Sequence, residues 1–356
     1  VKLGFLQRLP RWLRVSLLLF PVLAFLGLAF GLRFGLRDAK ALVRSFRNRQ
    51  TPVQCIWQGP ETDSDISDFA MDSSGNAMVL SRGRLWELRQ QTLKSMDASQ
   101  GVLRLFPDAE PGQIWMAGSN HRVMVWNTLD GLRSAWFVQG TVREIKVSGD
   151  WVVVGFEDDQ AGKGWVQRFH RLDSYRYESV GQSLVVGMDR YCGFDLSPDG
   201  QRILANQPDG RGVAIWSVED GRKLVAWPVE RLARVLRFTD DAHVVFDRGP
   251  LEHGVELAQA NPRNQLVYAS STASDGPIVV AENFATVLAS ALWPDRSRLV
   301  FSDMEGLLRV VDLNPQPRPV RMIAPRKGGI PWRLRVSLEG IWVLLKGEET
   351  RIEAYR

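Results

Sequence analysis

Four histidines, His121, His170, His243 and His253, are the first residues to weigh as metal ligands or general bases. No two stand at the i, i+4 spacing that puts a pair on one helix face, so a metal centre would need assembly from distant segments. Each reads better as a surface or turn residue. Carboxylates gather at Glu61/Asp63/Asp65/Asp68 and at Glu157/Asp158/Asp159. Neither group has the ligand spacing of an EF-hand loop, and both read as solvated turns. Motifs for nucleophiles and phosphates are missing: the chain has no P-loop, no G-x-S-x-G, no H-E-x-x-H and no G-x-G-x-x-G. Cys55 and Cys192 are its two cysteines. That excludes a disulfide framework and a Cys-rich zinc module, and two buried free thiols fit better than one bridge. These residues predict no catalytic group, no metal and no cofactor.

Cationic chemistry is concentrated instead. The net charge is +5, yet residues 1–50 hold ten Lys/Arg against one acid, which leaves residues 51–356 at about −4. Phosphate binding needs concentrated Lys/Arg, so the larger part is not expected to bind nucleic acid. Within the basic part, Arg33, Arg37, Lys40, Arg44 and Arg47 recur at steps of 4, 3, 4 and 3. An apolar stripe of Leu32, Leu36, Ala39, Val43 and Phe46 runs beside them, as on an amphipathic helix. This surface suits the headgroup layer of a bilayer, where each cation contributes on the order of 1 kcal/mol. The rival reading is contact with a protein partner or a second copy.

The element that positions this stripe is a membrane segment. Val15 to Leu32 is eighteen residues without a charge. As a helix it spans about 27 Å, close to the hydrocarbon thickness. A buried core helix would normally carry a polar face. A cleaved signal peptide would need a small-residue site before Arg33, and none is present. An uncleaved anchor is therefore expected, giving an N-terminal transmembrane helix over residues 15–32 within a region 1–50. Four Lys/Arg precede the span and six follow it, nearly a tie by the positive-inside rule. The short basic tail resists export, so the reading leans to a single-pass protein of the inner or cell membrane. Its N-terminus is then cytoplasmic and residues 51–356 lie outside.

Residues 51–356 read as a repeat. In Tyr191 to Trp227, Phe194 and Leu196 alternate with polar neighbours, followed by turns at Asp199-Gly200, Asp209-Gly210 and Asp220-Gly221. Strands at Arg202–Ala205, Val213–Trp216 and Lys223–Trp227 complete four short antiparallel strands in about 40 residues, one propeller blade. The first turn of each unit aligns at Gly75, Gly112, Gly149, Gly200, Asp241, Asp295 and Gly340. These are 37, 37, 51, 41, 54 and 45 residues apart, a mean of about 44 that matches a WD40-type blade. The expected fold is all-β, a seven-bladed propeller. The chain resembles divergent, bacterial-type WD40-like propellers through SPDG at 197–200, VAIW at 213–216 with EDG at 219–221, and VMVW at 123–126 with LDG at 129–131. The Gly-His opening pair is missing. Trp216-Ser217, Trp126-Asn127 and Trp86-Glu87 replace the Trp-Asp pair. These tryptophans share one place in their blades, which predicts packing between blades over stacking on a quinone or sugar.

The last unit stops after a third strand, Arg351 to Tyr355, and Val53 to Trp57 has strand character. The N-terminal segment is expected to supply the missing strand and close the ring, removing sheet edges. Residues 247–286 allow two readings. In one, Val255–Ala258 and Leu266–Ser270 are strands and Asp275–Phe284 is an insertion. In the other, 248–264 is a long loop and Ile278–Ala281 is the outer strand. The WD40 resemblance implies a non-catalytic scaffold whose protein partners dock on loops between second and third strands and between blades; a further reading is an accessory subunit of a membrane complex, with the basic helix contacting neighbouring subunits. Those loops include Arg82–Arg84, Asn120–Arg122, Gln207–Arg211, Asp303–Gly306 and Gly347–Glu349. The alternative is an enzyme or ligand-binding propeller using the central channel, hydrolase-like or quinoprotein-like.

Overall fold

Alternating apolar residues, bounded by Gly- and Asp-containing turns, form short strands that bury both faces. The computed structural model describes residues 55–355 apart from the segments 59–65, 72–76, 82–83, 90–91, 96–100, 108–111, 128–130, 159–162, 174–175, 189–192, 250–263, 273–275, 314–317, 324–328, 338–339 and 347–349. Strand β1 (Cys55–Gln58) precedes six complete blades. Blade one is β2 (Ile66–Met71), β3 (Ala77–Ser81), β4 (Arg84–Arg89) and β5 (Thr92–Ser95). Blade two is β6 (Val102–Pro107), β7 (Gln113–Gly118), β8 (Arg122–Asn127) and β9 (Gly131–Phe137). Blade three is β10 (Thr141–Ser148), β11 (Trp151–Asp158), β12 (Lys163–Arg171) and β13 (Tyr177–Val186). Blade four is β14 (Phe194–Leu196), β15 (Arg202–Asn206), β16 (Gly212–Ser217) and β17 (Lys223–Pro228). Blade five is β18 (Leu236–Phe238), β19 (His243–Arg248), β20 (Asn264–Ser270) and β21 (Ile278–Phe284). Blade six is β22 (Val287–Leu292), β23 (Arg298–Asp303), β24 (Leu308–Asp312) and β25 (Arg318–Ile323). Blade seven supplies β26 (Ile330–Ser337), β27 (Gly340–Lys346) and β28 (Arg351–Tyr355).

The seventh sheet has the order β1-β28-β27-β26, so the segment before blade one closes the ring as expected. Cys55 stands opposite Tyr355, Trp57 opposite Ala354 and Gln58 opposite Glu353, with a bulge between Cys55 and Trp57. All seven turn markers fall between the first and second strands of a blade or at the start of the second. The structure decides between the two readings of 247–286: Ile278–Phe284 is the outer strand of blade five, paired with β20, and not an insertion. Its alternation is broken by two bulges, between Asn264/Gln265 and Leu266/Val267, which blurred the pattern in sequence.

Seven apolar clusters fill the interfaces between adjacent blades. The cluster of blades four and five joins Leu204, Ile215 and Trp227 to Phe238, Phe246 and Val267. Phe69 and Met71 meet Trp342 and Leu344 where the ring closes. Trp86, Trp126 and Trp216 each pack into the cluster shared with the preceding blade, as their common position predicted. The SPDG turn of blade four closes by the Gly200 amide donating to the Ser197 carbonyl at 2.9 Å, with Gly200 at φ +71°. Among the described residues no helix is long and apolar enough to cross a membrane. The expected span 15–32 and the stripe Arg33, Arg37, Lys40, Arg44 and Arg47 lie outside the described residues.

Candidate functional site

An antiparallel meander puts the loops between second and third strands at the same end of the ring as the connections between blades. The turns between first and second strands lie at the other end. That other end is stitched across blades three to six. Ser148 Oγ donates to the Pro198 carbonyl at 2.7 Å, the Asp199 amide to Asp241 Oδ1 at 3.0 Å, and the Arg202 guanidinium to Ser271 Oγ at 3.0 Å. Arg296 reaches the Phe238 carbonyl at 2.8 Å. Burial pushes the Asp199 carboxyl up, but hydrogen bonds from Ser197 and the Gln201 amide, with the Arg202 charge, hold it below the usual 3.8. Hydrogen bonds from the Ser297 hydroxyl and amide hold Asp295 below that value as well.

At the docking end, several expected loops are described. Asn120 and His121 sit in the turn between β7 and β8 in left-handed conformation, φ 62° and 63°. The turn at 207–211 is closed by Gln207 N to Gly212 O at 2.7 Å. Asp303 is buried and fixes its loop: Oδ1 accepts the Glu305 and Leu307 amides at 3.1 and 3.2 Å, and Oδ2 accepts Arg309 Nε at 2.9 Å. These loops are held by their own blades, so their geometry is set before a partner arrives. Residues 82–83 and 347–349 lie outside the described residues. Four exposed apolar side chains stand at this end: Leu103 and Ile330 near the starts of first strands, Phe137 at the end of a fourth strand, and Met304 in a second-to-third loop.

The inner strands carry charge where sequence reading expected none of note. Asp68, assigned to a solvated turn, is a buried residue of β2. Its Oδ2 accepts the Leu105 amide of blade two at 3.0 Å, and its Oδ1 accepts the Phe69 amide at 2.9 Å. Asp195 of blade four likewise accepts an amide of the following blade, that of Phe238 at 2.8 Å. These inner-strand aspartates tie neighbouring blades together in a chain that lacks the Trp-Asp pair. Glu157 is likewise no free turn acid; it lies on β11 and pairs with Arg143 at 2.7 Å. Inner-strand arginines reach across to carbonyls of other blades: Arg104 to Arg143 O at 2.6 Å, Arg237 to Ser290 O at 2.7 Å, and Arg335 to Leu105 O at 3.2 Å. Burial, then the nearby Arg333, lower Arg104 from its ordinary value to about 10. Sequence reading missed these arginines. The signal available was the recurring apolar-Arg-apolar triplet of first strands, Leu103-Arg104-Leu105, Leu236-Arg237-Phe238 and Leu334-Arg335-Val336.

Two of the histidines pack against aromatic rings. His170 and His243 lie on strands, not turns; His170 meets Trp151 edge-on at 5.1 Å. His243 stacks on Tyr268 at 5.0 Å and lies 3.0 Å from Asp240. His253 and Cys192 lie outside the described residues.

No family model and no curated protein matches the chain. Its fold is similar to that of several solved structures. The WD40 β-propeller domain of Doa1 superposes with a TM-score of 0.62 at 16% identity, covering 85% of this chain and 97% of that one. The β-propeller domain of Cps50 (Swd1) from Myceliophteria thermophila gives 0.61 at 11% identity, covering 85% and 99%. A chain of the Mitotic Checkpoint Complex gives 0.64 at 10% identity, covering 86% and 93%. These likenesses establish a seven-bladed propeller of the WD40 type.

Proposed function

We propose that the chain is a non-catalytic propeller, tethered to a membrane by residues 15–32, that binds other proteins as a scaffold or as an accessory subunit of a membrane complex. The observation that carries the binding role is the set Leu103, Phe137, Met304 and Ile330, exposed at the end where the pre-set loops of blades two, four and six project. Exposed apolar groups beside a polar rim are the usual composition of a protein-binding face. The fold supports this reading, since a structurally similar chain was solved within the Mitotic Checkpoint Complex. The tether rests on sequence: eighteen uncharged residues followed by the basic stripe Arg33, Arg37, Lys40, Arg44 and Arg47, set against lipid headgroups. The propeller then lies on the extracytoplasmic side of the inner or cell membrane.

The test is affinity purification from detergent-solubilised membranes with mass spectrometry. Partners recovered by the full chain are expected to be lost from a Phe137→Glu/Ile330→Glu variant. They are expected to be kept by Leu224→Glu, a control at the rim. Recovery unchanged in the double variant would sink the assignment of this face. The second reading, a ligand-binding propeller using the central channel, is favoured by the charged side chains of the inner strands.

A further inference from the structure

Strand β1 fixes the end at which the chain enters the propeller. Cys55 stands opposite Tyr355, the last residue of β28, and Tyr355 stands opposite Ile341, beside the first turn of blade seven. The entry point is therefore at the end of the ring that carries the turns between first and second strands, opposite the docking end. Seven residues, 48–54, separate Cys55 from the basic stripe that finishes at Arg47. Fully extended, such a segment reaches about 25 Å at most. A bilayer that holds the stripe is thus within short reach of the turn end.

The same end carries exposed apolar side chains on its outer rim. Leu172, 55% exposed, stands in the turn between β12 and β13. Ile278, 61% exposed, opens β21, and the exposed Val279 follows it. Leu132, also exposed, stands at the start of β9. Backbone bonds tie the turns before outer strands to the first turns of their blades: the Arg171 amide donates to the Asp150 carbonyl at 2.8 Å, and the Ser271 amide to the Ala242 carbonyl at 2.6 Å. Charged groups in two of these turns are paired, Asp173 with Arg176 at 2.6 Å and Asp220 with Arg222 at 3.8 Å. Pairing limits the like-charge repulsion between such turns and anionic lipid. Exposed apolar groups beside them suit the boundary between headgroups and acyl chains. A tether raises their effective concentration at that surface, so contacts too weak to bind alone suffice.

We propose that the turn end of the propeller rests on the lipid bilayer, with Leu132, Leu172, Ile278 and Val279 as its contacts at the headgroup boundary. This inference rests on the tether formed by residues 15–32. It leaves the docking end, with Phe137 and Ile330, turned away from lipid and open to protein partners.

The experiment reconstitutes the full chain, carrying Cys55→Ser and Cys192→Ser, into vesicles of phosphatidylcholine and phosphatidylglycerol. A bimane label is attached at Leu172→Cys, Ile278→Cys or Phe137→Cys, one position at a time. Its quenching by lipids brominated on the acyl chain is read beside flotation of the protein with the vesicles. Labels at Leu172→Cys and Ile278→Cys are expected to be quenched at least about threefold more than the label at Phe137→Cys, because groups at the headgroup boundary lie within reach of the bromines. Should either rim variant fail to fold, Leu132→Cys reports from the same rim with the same expected result. Protein that floats with the vesicles but is quenched equally at Phe137→Cys and at the rim, or at neither, overturns this orientation and leaves the tether standing. Protein that does not float with the vesicles overturns the tether and this inference together.

Discussion

At the scale of single residues, two kinds of side chain decide stability. Trp216 fills the interface of blades three and four with its ring buried among Val153, Ile203 and Met188. Trp216→Ala is expected to cost about 3–5 kcal/mol, read as a lower urea midpoint, because the ring leaves a cavity that rigid neighbouring sheets cannot collapse. The turn carboxylates act through pH. Asp199 and Asp295 are held below 3.8 in the fold, so their contribution is complete above that value. It is lost as the pH falls through their depressed values. Unfolding midpoints measured from pH 6 down to pH 2 are expected to hold to about pH 4 and then fall. An Asp199→Asn/Asp295→Asn variant is expected to start lower and fall less. Equal pH slopes in both proteins would contradict this account.

At the scale of the element, the closing strand matters most. Strand β1 covers the outer edge of β28, and the two are as far apart in the chain as the fold allows. The pairing costs loop-closure entropy, which rises only slowly with chain length, and removes an unpaired edge. A chain beginning at residue 59 keeps β26, β27 and β28 but exposes that edge. It is expected to elute as oligomers in size-exclusion chromatography, where a chain beginning at residue 51 elutes as a monomer. Monomeric behaviour of both would show that closure is dispensable. Bulges make other elements hard to read. In β21 they shift Ile278, Val279, Ala281 and Glu282 against β20, so neither a strict alternation nor a single register survives in the sequence.

At the scale of the whole molecule, charge is separated: a basic N-terminal region of ten Lys/Arg and one acid, and a remainder near −4 whose inner strands are again cationic. The proposed tether has its own consequence. The full chain is expected in the membrane fraction after carbonate washing, and residues 51–356 in the soluble fraction. Replacing Arg33, Arg37, Lys40, Arg44 and Arg47 by Gln is expected to weaken association of a peptide spanning 33–49 with anionic vesicles. Each replacement contributes on the order of 1 kcal/mol near the surface. Equal binding to neutral and anionic vesicles would favour a protein contact for this stripe.

The number of blades, the seven first turns, the closing strand and the shared tryptophan position could all be read from the chain. They depend on local period and on turn residues such as Asp199-Gly200, whose conformational demands act over a few residues. Tertiary structure decided which carboxylates are buried and which carbonyls the inner-strand arginines reach. Asp68 reads as one acid among several until β2 lies beside β6 and offers it the Leu105 amide. Arg335 and the Leu105 carbonyl it reaches are 230 residues apart in sequence, and nothing local in either strand reports the other. Only closure of the ring brings inner strands from separate blades to one axis, where charge interacts through space and not along the chain.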